Sequence, residues 1–210
     1  MDTLSHHEAG KLLASFGIHI PQGRLIKSKN EAVLLAKKIG FPVVLKVSSK
    51  KILHKTDVNG VILGINDIHS LESAYDQMSR KFNTGDISGF ILQKMHFGHN
   101  VIVGMKRDRQ FGPIIIFGLG GIYVELIKDI SYRIAPIKVN EAMQMISEIK
   151  MFPALNGARG GIKADIKKLA ELISRLSILS IRNPGISEID LNPVIVNEKE
   201  AVAVDARLVR

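Results

Sequence analysis

Apolar and polar residues alternate along this chain with two periods, which predict strands and helices in succession. Short apolar runs rich in β-branched residues predict strands at residues 43–47 and 61–65. The runs GFILQKM and VIVGMK predict two more strands, which flank a short loop containing Gly98. A further run, PIIIFGLGG, predicts an apolar strand that ends in a glycine-rich turn.

Four other segments have the apolar spacing and the end signals of helices. Each begins at a residue that can cap a helix N-terminus: Asn30, Ser70, Asn140 and Asp165. We expect these helices to run to about residues 39, 82 and 150, with Gly40 ending the first and a longer helix following Asp165. The apolar stripe of that last helix comprises Ile166, Leu169, Leu172, Ile173, Leu176 and Leu179.

The C-terminal segment EIDLNPVIVNEKEAVAVDARL predicts two strands joined by a turn near Asn197 and Glu198. The mixture of elements predicts an α+β protein with two lobes and a seam at 93–95. The predicted domains are residues 1–92 and 93–210, although the first 20 or so residues could pack on the other lobe.

Composition narrows the class of protein. Hydrophobic residues make up 46% of the 210, which is enough for a packed core. The net charge of +9 suits a nucleic acid, a phosphorylated cofactor or an acidic partner, although a lysine-rich solvated surface explains it as well. The sequence contains no cysteine, no signal-peptide pattern and no long apolar segment. We therefore expect a cytoplasmic protein that does not enter a membrane.

Lys46 is an unusual residue for its position, inside a predicted strand of Val43, Val44, Leu45 and Val47. Strand alternation places its side chain on the face opposite Leu45 and Val47. Such a lysine either extends to water along its methylene groups or points at an anion in a cleft.

The polar loop after this strand, SSKKILHKTDVNG, concentrates basic residues around His54. Basic groups and exposed backbone amides suit a phosphate, although the loop lacks P-loop spacing. A histidine nitrogen can hold a phosphoryl group as a phosphoramidate, but a loop histidine can equally be a surface residue. The glycines of FGLGG have two equally good explanations: the backbone approaches a ligand closely, or the segment is a plain turn.

Two C-terminal polar residues have the chemistry of a metal site. Asn192 in DLNP and Asp205 in AVDAR lie on what should be neighbouring strands, and Asp190 would share the face of Asn192. Oxygen ligands from two strands, completed by phosphates, are typical of Mg²⁺ at a nucleotide site. The alternative is an Asn-Pro turn followed by an ordinary strand-end aspartate.

Taken in order, these segments resemble the β subunit of ADP-forming acetyl-CoA and acyl-CoA synthetases, which are ATP-grasp proteins related to succinyl-CoA synthetase. The resemblance begins with EAGKLLASFGIHIPQG and continues through GFPVVLKVSS and ILHKTDVNGV. It extends through RDRQFGPIIIFGLGGIYVELIKDISYRIAP, GARGG and EIDLNPVIV, and so covers nearly the whole chain.

This resemblance implies an ATP-grasp fold with a nucleotide held between two α+β lobes. It implies that the protein interconverts acyl-CoA, ADP and phosphate with a free acid, CoA and ATP, through an acyl phosphate and a phosphohistidine. The implied cofactors are ATP or ADP and Mg²⁺. The implied partner is a CoA-binding α subunit in a heterotetramer, with the acyl-CoA and the acid reached through that subunit and no role for nucleic acid.

The resemblance also implies roles for particular residues. His54 would carry the phosphoryl group, and Arg159 in GARGG would be a second cationic contact or an exposed loop residue. Lys46 would contact the phosphates, Gln93, Lys94 and Met95 would form the strand over the adenine, and Asn192 and Asp205 would bind the metal.

Three positions depart from the family pattern. Asn59 replaces a usual glycine, Arg109 replaces a usual proline, and Asn100 replaces a usual glutamate that helps to hold the nucleotide. Asn100 keeps open the alternative of a nucleotide-binding regulatory subunit. A second alternative is another ATP-grasp ligase that joins a carboxylate to an amine without a phosphohistidine. Binding to nucleic acid would rest on the charge of +9 alone.

Overall fold

The computed structural model describes residues 2–49, 52, 55, 57–82, 85, 87–120 and 129–210, and of Arg159 it describes only the backbone. The chain forms two compact units, a small unit of Pro21–Met95 and a large unit of Met1–Ile20 with His96–Arg210. The boundary lies after Met95, rather than after residue 92, because the strand that ends the small unit continues to Lys94 in its sheet.

In chain order the described elements are α1 (His6–Ser15), β1 (Gly23–Ile26), α2 (Lys29–Ile39), β2 (Val43–Ser48), β3 (Val61–Ile65), α3 (Ile68–Lys81), β4 (Gly89–Lys94), β5 (His99–Asp108), β6 (Gly112–Leu119), β7 (Ile130–Ile134), α4 (Val139–Ser147), α5 (Phe152–Leu155), a 3₁₀ turn (Ala158–Gly160), α6 (Ile166–Arg182), β8 (Glu188–Val196), β9 (Ala201–Ala203) and β10 (Ala206–Val209).

The small unit is a four-stranded antiparallel sheet in the order β1-β4-β2-β3, with α2 and α3 packed against it. Its core joins alternate residues of β2 and β4 to the apolar stripes of the two helices, which include Ala36, Leu71 and Met78. One face of each central strand is therefore committed to the core, and the other face is left for other contacts.

The large unit is an antiparallel sheet in the order β10-β8-β5-β6-β7, with β9 also paired to β8. Its core contains the inward residues of β5, β6 and β8 together with residues of α1, α4 and α6. As predicted, Asp165 caps α6 by accepting from the Lys168 backbone N–H, and the predicted stripe faces the core. Its members Leu169, Leu172, Ile173, Leu176 and Leu179 are buried, and Ile166 packs against them.

Three predicted caps are wrong, because a residue earlier in the chain takes the capping position. Ser28 caps α2 in place of Asn30, and Asp67 caps α3 in place of Ser70. The fourth helix begins at Val139, one residue before Asn140. Gly40 ends α2 as predicted, with φ of 76°, where glycine is favoured.

The N-terminal segment belongs to the large unit. Ser5 and Glu8 form a capping box at the start of α1, a helix that the periodicity had not indicated. Before it, the Leu4 backbone N–H donates to the Leu208 carbonyl at 2.9 Å, and Thr3 forms a bridge with Val209. These bonds tie the start of the chain to β10.

No helix within the described ranges combines the length and the apolar character that crossing a membrane requires.

Candidate active site

In the small unit, Lys46 lies on the face of β2 that points away from the core. Val43, Leu45 and Val47 belong to the core with α2 and α3, which confirms the predicted alternation. Lys46 is nonetheless only 6% exposed. A lysine at this depth must face compensating negative charge or polar groups, because burial of an uncompensated ammonium is strongly unfavourable.

Gln93 shares that face. Lys46 pairs with Ile91 on β4, and Val44 pairs with Gln93, so Gln93 is the diagonal neighbour of Lys46 across the two strands. Gln93 is also buried, at 3% exposure. The small unit therefore presents an ammonium and a carboxamide side by side on one sheet face.

Lys94 and Met95 are held in place by the loop between α2 and β2. The Lys94 ammonium donates to the carbonyl oxygens of Gly40 and Phe41, at 3.2 and 2.7 Å. The Met95 backbone N–H donates to the Pro42 carbonyl, and its sulfur accepts from the Gly64 N–H at 3.3 Å. Lys94 therefore fixes the position of this segment rather than offering its charge to a ligand.

His54 lies outside the described residues, as do Lys50, Lys51 and Thr56, so the predicted phosphohistidine loop is described only at its end. There Asn59 adopts a left-handed conformation with φ of 46°. Asparagine tolerates this region better than most residues, so Asn59 can adopt the conformation at a position where the sequence resemblance implies a glycine. Gly60 follows, and its N–H donates to the Lys55 carbonyl at 2.7 Å.

In the large unit, Asn192 and Pro193 form a β-bulge in β8. On the β5 side, Leu191 pairs with Val103 and Val194 pairs with Val101, so two residues of β8 lie opposite the single residue Ile102. The Asn-Pro pair is thus inside a strand rather than in a turn. Proline has no N–H for the ladder, and bulges commonly redirect side chains near functional sites.

The opposite edge of β8 is interrupted at the same level. We expected one strand after the turn, but two are present: β9 pairs with Val194–Val196 and β10 pairs with Glu188–Leu191. Asp205 lies in the gap between them, and the N–H of the preceding Val204 donates to the Pro193 carbonyl at 3.1 Å. The register therefore brings Asp205 level with Asn192.

These two residues fit a hard cation such as Mg²⁺. Asn192 is exposed, Asp205 is partly exposed, and both supply oxygen atoms at an irregularity in the ladder on each side of β8. Mg²⁺ usually takes one or two protein oxygens and completes its shell with water and phosphate. Among the described residues no group of three or more His, Cys, Asp or Glu side chains forms a metal site. The described part of the chain therefore contains no cluster of these side chains that could surround a metal ion on its own.

Asn100, on β5, is exposed beside the glycine-rich turn. Its carbonyl accepts from the Gly120 N–H at 2.7 Å. A Cβ atom on Gly120 would lie 3.1 Å from that carbonyl, so glycine permits the close approach. Residues 121–128 of the predicted turn lie outside the described residues.

The loop that carries Arg159 is closed at its base by a bridge between Asn156 and Lys163. Gly157, with φ of 80°, leads into the 3₁₀ turn that contains the Arg159 backbone. The ring of His99 contacts the Ile162 carbonyl at 2.6 Å, which joins this loop to the start of β5.

Arg133 has a structural contact. Its guanidinium bonds the Glu148 carboxylate at the C-terminus of α4 and the Tyr132 carbonyl. The hydrogen bond from Arg133 lowers the pKa of Glu148 below its usual 4.5. This pairing accounts for Arg133 without a role in catalysis.

Sequence reasoning missed Asp129, which lies just after the undescribed segment. It is 6% exposed, and its carboxylate accepts from the backbone N–H groups of Lys150 and Met151, both at 2.8 Å. Asp129 thereby ties the end of the glycine-turn segment to the segment leading to Arg159. Its only sequence signal is a charge between two apolar runs.

The matches to known proteins cover nearly the whole chain. The family model described as the ATP-grasp domain matches residues 1–209. The β subunit of acetate–CoA ligase [ADP-forming] I from Pyrococcus furiosus is 42% identical over 207 residues, which is 96% of this chain and 89% of the relative. Acetate–CoA ligase [ADP-forming] I from Archaeoglobus fulgidus is 44% identical over 94% of this chain, which spans 30% of that longer protein.

Solved structures agree with these relatives. Acetyl-coenzyme A synthetase 1 from Ca. Korarchaeum cryptofilum, in complex with coenzyme A and Ca-AMPCP, superimposes with a TM-score of 0.93 at 39% identity, over 99% of this chain and 93% of that chain. A second structure of it contains coenzyme A and Mg-AMPPCP, with a phosphohistidine segment pointing towards the nucleotide site. Its TM-score is 0.86 at 37% identity, over 99% of this chain and 92% of that one.

The topology of both units, the near-complete match to the ATP-grasp domain and the identity to these β subunits agree with one another. This chain belongs to the ATP-grasp family and, within it, to the β subunits of ADP-forming acetate–CoA ligases.

Proposed function

We propose that this chain is the nucleotide-binding and phosphoryl-transferring subunit of an ADP-forming acyl-CoA synthetase. The enzyme interconverts acyl-CoA, ADP and phosphate with a carboxylic acid, CoA and ATP. The observation that carries the proposal is the 42% identity to a β subunit of this enzyme class across 96% of the chain. The ATP-grasp domain model, which matches residues 1–209, spans every segment that holds a proposed site residue.

The chemistry requires a nucleophile on a movable segment, and His54 is the proposed nucleophile. An imidazole nitrogen attacks the phosphorus of the acyl phosphate, so that a P–N bond forms as the P–O bond to the acyl group breaks and the carboxylate leaves. A β-phosphate oxygen of ADP then attacks the same phosphorus, which breaks the P–N bond and yields ATP. The phosphohistidine segment of the Korarchaeum relative, which points towards the nucleotide site, supports this assignment.

The buried ammonium of Lys46 neutralises phosphate charge, which is the main contribution that proteins make to phosphoryl transfer. Gln93, Lys94 and Met95 position the adenine, and Asn100 lies where the sequence resemblance implies a glutamate. Asn192 and Asp205 would hold Mg²⁺, which when bound would neutralise the negative charge of the phosphates. Arg159 is a second cation for the transferred group.

The proposed cofactors are therefore ATP or ADP and Mg²⁺, and the proposed partner is a CoA-binding α subunit in a heterotetramer. The partner binds the acyl-CoA and the acid. The β-subunit description of the Pyrococcus relative and the longer single chain of the Archaeoglobus relative support a division of labour of this kind.

The proposal is tested by incubating the chain with γ-labelled ATP and Mg²⁺ and assaying acid-labile, base-stable phosphate on the protein. We expect label on the wild type and none on a His54→Ala variant. The control is His69→Ala, which removes an exposed histidine on α3 and should retain the label.

If the chain binds ATP but takes no label, the assay is repeated with the α subunit, acyl-CoA and phosphate. No label and no turnover then would leave a regulatory subunit, the reading that Asn100 motivates. Full turnover by His54→Ala would instead indicate an ATP-grasp ligase without a phosphohistidine.

A further inference from the structure

The three residues that join Met95 to β5 belong to the large unit and have few backbone hydrogen bonds. They are His96, Phe97 and Gly98, and we call them the connecting segment. Among the described residues, the backbone N–H groups of His96 and Phe97 have no acceptor. No strand ladder therefore holds the connecting segment, and its conformation depends on contacts with other parts of the unit.

One of these contacts comes from Asn197, in the turn between β8 and β9. Its side-chain amide nitrogen donates to the Phe97 carbonyl at 2.6 Å. The amide oxygen of the same side chain accepts from the backbone N–H groups of Lys199 and Glu200, at 2.8 and 3.2 Å. The Asn197 carbonyl accepts from the N–H of Asp165, the residue that caps α6, at 2.9 Å. Asn197 therefore connects the segment to a turn that is itself bonded to a long helix.

His96 provides a second contact with the same turn. Its Nδ1 lies 2.7 Å from a carboxylate oxygen of Glu200. An ionised carboxylate can only accept, so Nδ1 carries a hydrogen and donates it. The other ring nitrogen, Nε2, is buried and has no partner in the described part of the chain. Glu200 is therefore the polar group that sets the orientation of this ring.

Gly98 packs closely against the end of β8. A Cβ atom at this position would overlap the carbonyl oxygen of Val196, so glycine is required for the two backbones to approach this closely. The next residue, His99, pairs with Val196 as β5 begins. We call the contacts of the connecting segment with Val196, Asn197 and Glu200 the segment–turn contact.

The turn in this contact lies between the two residues proposed to bind the metal. Asn192 precedes the turn on β8, and Asp205 follows it after β9. The connecting segment, on the other side of the contact, follows directly after the residues proposed to position the adenine. The segment–turn contact therefore links the start of β5 to the strands that carry the proposed metal ligands. Groups that are held in place before a ligand arrives bind it more tightly, because less conformational entropy is lost on binding.

We propose that His96, Asn197 and Glu200 are positioning residues for nucleotide binding. They hold the connecting segment in place and do not themselves bind the nucleotide. This inference rests on the proposed function, which supplies the nucleotide. None of the three belongs to the hydrophobic core of the large unit, so loss of the segment–turn contact should weaken nucleotide binding without preventing folding.

The test is the Kd of this chain for Mg-AMPPCP, measured by isothermal titration calorimetry. Asn197→Asp keeps an oxygen that can accept from Lys199 and Glu200, but it replaces the donor to the Phe97 carbonyl with a second oxygen. The turn is thereby retained while its bond to the connecting segment is lost. We expect Asn197→Asp to weaken binding by about fivefold or more.

The matched control is Asn183→Asp at the end of α6. This substitution also removes a bond from a side-chain amide to a backbone carbonyl, that of Leu179 at 2.9 Å, and adds the same charge. Its thermal midpoint should fall, because a negative charge at a helix C-terminus is unfavourable. Its Kd for Mg-AMPPCP should nevertheless stay within about twofold of the wild type.

A second pair of variants tests His96 without adding a charge. His96→Leu removes the bond to Glu200 and should also weaken binding by about fivefold or more. His96→Asn places an amide donor near the position of Nδ1 and should restore the Kd to within about twofold of the wild type. If Asn197→Asp does not fold, this pair alone decides the outcome.

Thermal midpoints are measured for every variant, so that a loss of stability is separated from a loss of affinity. Lower midpoints with a wild-type Kd in Asn197→Asp and His96→Leu would show that the segment–turn contact is only structural, and would overturn the inference while the proposed function stands. Equal losses of affinity in His96→Leu and His96→Asn would contradict a role for the bond to Glu200. Absence of binding by the wild-type chain would instead overturn the proposed function, and this inference with it.

Discussion

At the scale of single residues, Asn100 is the substitution with the clearest chemical consequence. A glutamate at this position can accept two hydrogen bonds with a full negative charge, whereas the asparagine carbonyl accepts more weakly. The side chain is exposed, and its backbone is fixed by the bond from Gly120, so a change at this position alters the side chain without moving the strand.

We therefore expect Asn100→Glu to tighten binding of the nucleotide. One added charge-assisted hydrogen bond is worth roughly 1–2 kcal/mol, which corresponds to about five- to thirtyfold in Kd. Calorimetric titration with Mg-AMPPCP measures it, and Asn30→Glu, an exposed site on α2, controls for the added negative charge. Unchanged or weaker binding by Asn100→Glu would show that this position does not contact the nucleotide here.

At the scale of elements, the capping of α3 depends on an ionised side chain. The Asp67 carboxylate accepts from the Ser70 backbone N–H at 2.7 Å. Hydrogen bonds from the Ser70 backbone and hydroxyl lower the pKa of Asp67 below its usual 3.8. Because the folded state has the lower pKa, this contribution to stability is present above pH 3.8 and is lost as the pH falls through the folded value.

Asp67→Asn should therefore lower the urea midpoint at neutral pH, and the difference from the wild type should shrink below pH 3.8. Asparagine still caps a helix, so only the charge is removed. Urea titrations at the two pH values measure the effect, with the exposed Asp2→Asn as the control. A difference that is constant with pH would contradict a role for the ionised form.

The turn between α4 and α5 depends on Asp129 in a different way. Its buried carboxylate satisfies two backbone N–H groups, and alanine would leave both of them without a partner. We expect Asp129→Ala to lower the free energy of unfolding by about 2–4 kcal/mol, and Asp129→Asn, which keeps one acceptor, to lower it by less. Chemical unfolding of the two variants measures this. Equal losses would indicate that the charge, rather than the number of acceptors, matters.

At the scale of the whole molecule, binding of the proposed nucleotide and metal is coupled to folding. A ligand that binds only the folded state stabilises it by mass action, by about 2.7 kcal/mol at 100 times its Kd. We expect Mg-AMPPCP to raise the thermal midpoint, and a chelator or Asp205→Asn to remove most of that rise. Differential scanning calorimetry measures both. A rise that is lost on chelation but is retained in Asp205→Asn would exclude Asp205 as a metal ligand.

The elements that were predicted well are those determined by local sequence. The stripe and the Asp165 cap of α6 were visible because helical periodicity over 17 residues is a strong signal. The caps of α2 and α3 were missed because two nearby polar residues compete for the N-cap position of each helix. Ser28 precedes Asn30 by two residues and Asp67 precedes Ser70 by three, and packing of the helix decides which one is used.

The features of the candidate site also divide into those that follow from local sequence and those that depend on packing. From the sequence alone, strand alternation predicted that Lys46 faces away from the core, and the connection through a turn predicted that Asn192 and Asp205 lie close together, because both are local properties. Only the tertiary structure decided the bulge at Asn192 and the split between β9 and β10, since both depend on how three strands align around β8. The hydrogen bond between Asp129 and the Met151 N–H and the strand pairing of Tyr132 with Ile116 were also visible only in the tertiary structure. Both connect segments that are separated along the chain and meet only when the sheet and its helices pack.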